Sequence, residues 1–172
     1  VYENVVLVGF MGSGKSSVGR LVARTLGGRF VDTDRLVVDR AGCEITEIFA
    51  EKGEAHFRLE ETRVLRSLLG SQHLVVATGG GIVILPENVA ILKKLGPVVW
   101  LTASEEMIWE RVSRNRKRPL LHTENPRETL RALLAKRTPL YEAVADFSVD
   151  TTLLTHAEVA GKICEWLSKA AQ

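Results

Sequence analysis

Cysteine is scarce in this chain. Two occur among 172 residues, Cys43 and Cys164, far apart and in no metal-spaced or CxxC pattern. A reduced cytoplasmic protein without structural disulfides is the simplest expectation. Hydrophobic runs are short as well. The longest stretches without a polar side chain, Val5–Gly12 and Gly79–Pro86, have eight residues each, where a membrane helix needs about twenty. No membrane span is expected, and no signal peptide, because Lys15 interrupts the apolar start. An excess of one charge sign is also missing. The 23 Lys and Arg against 21 Asp and Glu leave a net charge of +2, so neither nucleic acid nor a membrane is an expected partner. No internal repeat or low-complexity linker divides the chain, and one domain over residues 1–172 is expected. The 45% apolar and 26% charged residues match a soluble globular domain and exclude disorder and coiled coil.

What is present is an alternation of apolar strands and amphipathic helices. Strands are expected at Asn4–Gly9, Arg29–Val31, Leu74–Ala77, Pro97–Leu101 and Phe147–Val149. Between them, Val18, Leu21, Val22, Thr25 and Leu26 form one helical stripe that stops at Gly27-Gly28. Leu36–Ala50 reads as one or two short helices broken at Gly42, and Glu54–Leu69 as a longer one. Pro86 suits a first helical turn, Ser104 a helix cap, and Pro126 another first turn. A last stripe carries Val159, Ile163, Trp166 and Leu167. Mostly apolar strands alternating with helices predict an α/β fold, a parallel sheet covered on both faces. Ligands of such sheets bind beyond the carboxyl ends of the strands.

Gly9-Phe-Met-Gly-Ser-Gly14-Lys15-Ser16 fits G-x-x-x-x-G-K-[ST] without mismatch, between a strand and a helix. The glycines let backbone N–H groups turn around phosphate oxygens at a helix N-terminus. Lys15 can reach β- and γ-phosphates, and the Ser16 hydroxyl can ligate Mg²⁺. The alternative, a Gly-rich turn with a solvated lysine, is weak given both pattern and context. A nucleoside triphosphate with Mg²⁺ is therefore the expected ligand. A guanine-nucleotide switch is not, because no asparagine begins an Asn-Lys-x-Asp base reader. Leu74–Ala77 runs into Thr78-Gly79 rather than an acid, so the metal-side carboxylate must come from elsewhere, and Asp32 is the candidate.

Asp32-Thr33-Asp34 sets two carboxylates at a strand end. If the segment is extended, both point to one side; one can serve hydrated Mg²⁺ and the other take a proton from an attacking hydroxyl. Asp34 could equally cap a helix starting at Arg35. Arg58, with Glu54 at i−4 and Glu61 at i+3, reads first as part of a surface ion-pair helix. The sharper reading is a guanidinium held by Glu61 to grip a carboxylate. Gly79-Gly80-Gly81 suggests close backbone approach by a ligand or another segment, or else a tight turn. Arg111, Arg114, Arg116, Lys117 and Arg118 form a basic run ending in a polar loop, either a solvated face or a lid over transferring phosphate. Arg137, ahead of Pro139, could simply serve a helix C-terminus.

Taken together these segments resemble shikimate kinase. The motifs run in order along nearly the whole chain: Gly-Phe-Met-Gly-Ser-Gly-Lys-Ser-Ser-Val-Gly (9–19), Asp-Thr-Asp (32–34), Phe-Arg-x-x-Glu (57–61), Ala-Thr-Gly-Gly-Gly (77–81), Arg-Pro-Leu-Leu (118–121) and Arg-x-Pro-Leu-Tyr (137–141). The resemblance implies a three-layer α/β/α fold of the nucleoside-monophosphate-kinase type, with a five-stranded parallel sheet. It implies a substrate-binding helical segment at about 33–61 and a lid at about 112–124. The implied reaction is ATP-dependent phosphorylation of the shikimate 3-hydroxyl, in the route to chorismate and aromatic amino acids, by a cytoplasmic monomer.

Carried over by position, Gly12, Ser13, Gly14, Lys15, Ser16 and Ser17 would hold ATP phosphates, and Ser16 and Asp32 would serve Mg²⁺. Asp34 would bind the acceptor hydroxyls and act as base, with Lys15 and Arg118 completing the catalytic set. Arg58, Gly79, Gly80, Gly81 and Arg137 would bind shikimate, the two arginines at its carboxylate. Arg111 would flank adenine, and Arg118 would reach the phosphates from the lid. Ser17 departs from the family's commoner threonine but keeps the hydroxyl. Gluconate kinase, on the same fold, and a non-catalytic nucleotide-binding module are the alternatives. The ordered motif set argues against the first, and the presence of Lys15, Asp34 and Arg118 against the second.

Overall fold

A computed structural model describes residues 4–114 and 122–171. Strand β1 (Asn4–Val8) leads through the glycine-rich loop into α1 (Lys15–Leu26). Then come β2 (Arg29–Asp32), α2 (Thr33–Ala41), α3 (Ile45–Leu68), β3 (Leu74–Ala77) and α4 (Pro86–Leu95). The chain continues through β4 (Val98–Thr102), α5 (Glu105–Ser113), α6 (Pro126–Val144), β5 (Phe147–Asp150) and α7 (His156–Ala170). The strands form one parallel sheet in the order β2-β3-β1-β4-β5.

The period of two along each strand decides which layer a side chain joins. Val5 and Leu7 pack with Val18 and Val22 of α1 and with Val159 and Ile163 of α7. Val6 and Val8 face the other way, among Leu65 of α3, Leu92 of α4, Ile108 of α5 and Leu130 of α6. Both faces are thus covered, which is why the inner strands β1, β3 and β4 read as mostly apolar runs. A smaller cluster of Val37, Ile48, Phe57 and Val64 joins α2 to α3.

Three sequence readings change. Leu26, expected on the buried stripe of α1, is 46% exposed, because α1 ends there at Gly27. The helix after Gly42 starts at Ile45 and continues to Leu68 across a kink at Gly53 (φ 81°, ψ 171°). Helix α6 runs through Pro139 to Val144, so Arg137 lies inside it and not at its C-terminus. Proline removes one N–H from the ladder, and the burial of Tyr141 and Val144 beyond it offsets that loss.

Candidate active site

The carboxyl ends of β1, β2 and β3 open on a cleft of about 200 Å³ lined by Met11, Gly14, Lys15, Ser16, Asp32 and Asp34 among others. The loop after β1 turns at Gly12 (φ 76°) and Gly14 (φ 92°), conformations that favour glycine. That path brings Lys15 back over its own loop. The Lys15 ammonium, 8% exposed, donates to the Gly9 carbonyl at 2.6 Å and the Phe10 carbonyl at 2.9 Å. The Ser16 hydroxyl donates to Asp32 Oδ2 at 2.7 Å, which joins the start of α1 to the end of β2. A hydroxyl beside a carboxylate is a hard-oxygen pair of the kind Mg²⁺ takes.

The Asp-Thr-Asp segment is not extended throughout. Asp32 is the residue that caps α2: its Oδ1 accepts from the N–H groups of Asp34 (3.0 Å) and Arg35 (3.4 Å), and the helix starts at Thr33. Asp34 therefore sits in the first helical turn, where it neither caps nor follows strand alternation. It still reaches the cleft. The fully buried Thr33 faces inward, and its hydroxyl accepts from the Gly79 N–H at 3.0 Å.

Three glycines follow β3, and charged side chains crowd each of them. A Cβ on Gly79 would lie 2.7 Å from both Asp34 Oδ1 and Glu61 Oε1. One on Gly81 would lie 2.4 Å from Arg58 Nη1. On Gly80 it would meet the Met11 amide nitrogen at 3.2 Å and Arg137 Nη1 at 3.5 Å. The turn thus packs bare backbone against Asp34, Glu61, Arg58 and Arg137. Arg58 is not a surface residue. It is 8% exposed, donates to Glu61 Oε2 at 2.7 Å and Glu54 Oε1 at 3.0 Å, and Glu61 is fully buried. Arg137, 3% exposed, lies 5.6 Å above the Phe10 ring.

A family model for shikimate kinase matches residues 11–168. The chain belongs to the shikimate kinase family. The shikimate kinase of Thermodesulfovibrio yellowstonii is 50% identical over 161 residues, 94% of this chain and 92% of that protein. That of Geobacter sulfurreducens is 50% identical over 165 residues, covering 96% and 91%. Among solved structures, shikimate kinase from Acinetobacter baumannii in complex with shikimate superposes with a TM-score of 0.94 at 40% identity, over 98% of this chain and 94% of that one. Shikimate kinase from Aquifex aeolicus gives 0.86 at 35% identity, over 98% of both chains.

Within this shikimate kinase fold the charges around the glycine turn perturb one another. Burial pushes the Glu61 carboxyl up to about 7, against the pull of Arg58, and the nearby Asp34 charge adds to the rise. Burial works against the charged Arg58, but Glu61 and Glu54 more than compensate and its pKa is raised. Arg137 is lowered by burial, with Tyr141 opposing and the like charge of Arg58 adding to the fall. Two buried cations beside two carboxylates make a strongly polarised pocket.

Arg111 donates to the Gly12 carbonyl at 2.9 Å and to Thr151 Oγ1 at 3.4 Å, bracing α5 against the phosphate loop. Ser13 is buried within that loop and Ser17 is exposed on α1. Arg118, and with it residues 115–121 of the expected lid, lies outside the described residues. Thr33, Tyr141 and His156 were not singled out by the sequence as site residues. The Tyr141 hydroxyl donates to the Gly80 carbonyl, and a Cβ on Gly14 would stand 3.5 Å from His156 Nε2. The final Tyr of Arg-x-Pro-Leu-Tyr lies one helical turn after Arg137, the only local signal available. Thr33 and His156 reach the site through contacts with glycines 46 and 142 positions away (79 − 33; 156 − 14), which no local pattern encodes.

Proposed function

We propose that this chain transfers the γ-phosphoryl group of ATP to the 3-hydroxyl of shikimate, releasing ADP and shikimate 3-phosphate. The observation that carries the reading is the buried pair Arg58 and Arg137 around Gly79–Gly81, with Asp34 lining the cleft beside the phosphate loop. A small polyhydroxy acid needs cations at its carboxylate, backbone groups and an acid at its hydroxyls, and a phosphate cradle beyond. Phosphoryl transfer asks little covalent chemistry of the protein, so positioning and charge stabilisation dominate.

In this reading Gly12–Ser17 hold the triphosphate. Lys15 leaves its loop carbonyls for phosphate oxygens, where it meets the charge that develops on transfer. Asp34 accepts the proton of the attacking hydroxyl. Arg58 and Arg137 bind the carboxylate, and Gly79, Gly80 and Gly81 let it approach. Arg118 reaches the phosphates from a lid at about 112–124, and Arg111 flanks adenine. Ser16 and Asp32 would hold Mg²⁺ on the protein side, and the ion would supply charge neutralisation at the phosphates. The chain acts as a single cytoplasmic domain, a monomer, with residues 33–61 as its acceptor-binding segment. Among the described residues no helix is long and apolar enough to cross a membrane.

Coupled measurement of ADP release with shikimate, gluconate and nucleoside monophosphates tests the reading. Turnover with shikimate alone is expected. Equal or faster turnover with gluconate would replace shikimate as the acceptor. In the same assay Arg118→Ala is expected to leave the KM for shikimate nearly unchanged and to lower kcat about 10²–10³-fold.

A further inference from the structure

Tyr141 is 1% exposed and lies in α6 one turn after Arg137. Its hydroxyl donates to the Gly80 carbonyl, and its oxygen attracts the charge of Arg137, whose Nη1 lies 3.5 Å from a Cβ placed on Gly80. The polarity of this arrangement is forced. A carbonyl can only accept and a guanidinium can only donate, so a group that serves both needs a proton and a lone pair on one atom. The Tyr141 proton goes to Gly80, and the lone pairs are left for Arg137. Burial pushes the phenol up to about 12 against the pull of Arg137, so the proton stays in place at neutral pH.

The surroundings hold the ring as well as the hydroxyl. The Trp100 ring centroid is 6.0 Å away and tilted by 31°. An apolar cavity of about 290 Å³ lined by Phe10, Trp100 and Leu134 among others lies alongside the ring. Phe10 carries Arg137 on its face, and Gly80 packs against the Met11 amide. One phenol oxygen therefore ties α6 to the turn after β3, directly beside the phosphate loop.

We propose that Tyr141 is a positioning residue for the acceptor, fixing the Arg137 guanidinium and the Gly80 peptide relative to one another. It does not touch the reacting atoms. The proposal rests on the reading of Arg137 as the carboxylate partner. Without the hydroxyl, the buried Gly80 carbonyl faces an apolar ring unpaired, and the charge of Arg137 loses the phenol oxygen that attracts it.

A double-mutant cycle read by calorimetric titration of shikimate tests this. Tyr141→Phe is expected to weaken shikimate binding about tenfold, the loss of the one hydrogen bond that fixes the Gly80 peptide beside Arg137. ATP binding should change less than about twofold, since no nucleotide contact is removed. In an Arg137→Lys background, where the planar fork is already gone, Tyr141→Phe should cost less than about twofold. Leu130→Val, in the buried part of the same helix, controls for stability and should leave shikimate binding unchanged while lowering the melting temperature.

If Tyr141→Phe lowers only the melting temperature, or weakens ATP and shikimate alike, the residue is structural and the proposal is overturned. It is likewise overturned if the tenfold loss persists in the Arg137→Lys background, or if Leu130→Val weakens shikimate as much. If Arg137→Lys binds shikimate like the wild type, the parent reading of Arg137 fails, and the positioning role falls with it.

Discussion

At Glu61 burial and ion pairing pull in opposite directions, and burial wins. A carboxyl raised from its ordinary 4.5 to about 7 binds a proton more tightly folded than unfolded. Its stabilising contribution is full below the unfolded pKa and is lost as pH rises towards 7. The shift corresponds to a loss on the order of 3 kcal/mol across that window. Melting curves from pH 5 to 8 should therefore show the wild type losing stability relative to Glu61→Gln as pH rises. A constant difference between the two proteins would contradict the raised value. The Lys15 ammonium is held by carbonyls of its own loop. Lys15→Ala should keep the fold, lower the melting temperature modestly by leaving those carbonyls unpaired, and reduce turnover about 10²–10³-fold. Near-normal turnover of a folded variant would remove Lys15 from the mechanism. The roles proposed for Lys15 and Ser16 were legible in the sequence because a loop and its following helix are contiguous. The surface reading of Arg58 failed because an i,i+3 carboxylate looks the same on a solvated helix as on a buried one.

Helix α3 shows what an element can hide. Its two halves, expected as separate helices, run into one another at Gly53, whose φ of 81° and ψ of 171° are open to glycine and strained for other residues. No atom lies within 4 Å of a Cβ placed there, so the constraint is the backbone alone. The kink lets Ile48 pack on α2 while Phe57 and Arg58 turn inward. Gly53→Ala is expected to cost about 1–3 kcal/mol in urea unfolding. It should raise the KM for shikimate more than that for ATP, since Arg58 follows the kink and the phosphate loop does not. Equal effects on both would mean that the halves of α3 are not set by this residue. Helix α6 outruns its expected end for a related reason. Proline breaks a helix on propensity, but buried side chains on both sides of Pro139 carry it through.

At the scale of the whole molecule, binding and stability are linked. A ligand at one hundred times its Kd adds about 2.7 kcal/mol to the folded state, or about 5–10 °C in melting temperature for a chain of this size. Shikimate is expected to produce such a shift and gluconate none. A shift with gluconate alone would overturn the choice of acceptor. The sheet order β2-β3-β1-β4-β5 places the Asp-Thr-Asp turn, the three glycines and the phosphate loop on successive strands, so one ligand can touch all of them.

The five strands, the phosphate loop and the class of fold were legible without coordinates, because each is written in short-range spacing: period two, period 3.6, and glycines before a lysine. The ordered motifs carried the family. Only the tertiary structure decided that Asp32 and not Asp34 caps α2, that Arg58 and Glu61 are buried, and that Gly79 leaves room for two carboxylates at once. It also decided that Tyr141 grips Gly80. Those facts depend on which strand lies beside which, and on how closely a glycine backbone lets a distant side chain approach. Local composition does not encode either distance, since the energy that sets them comes from burial against residues tens of positions away.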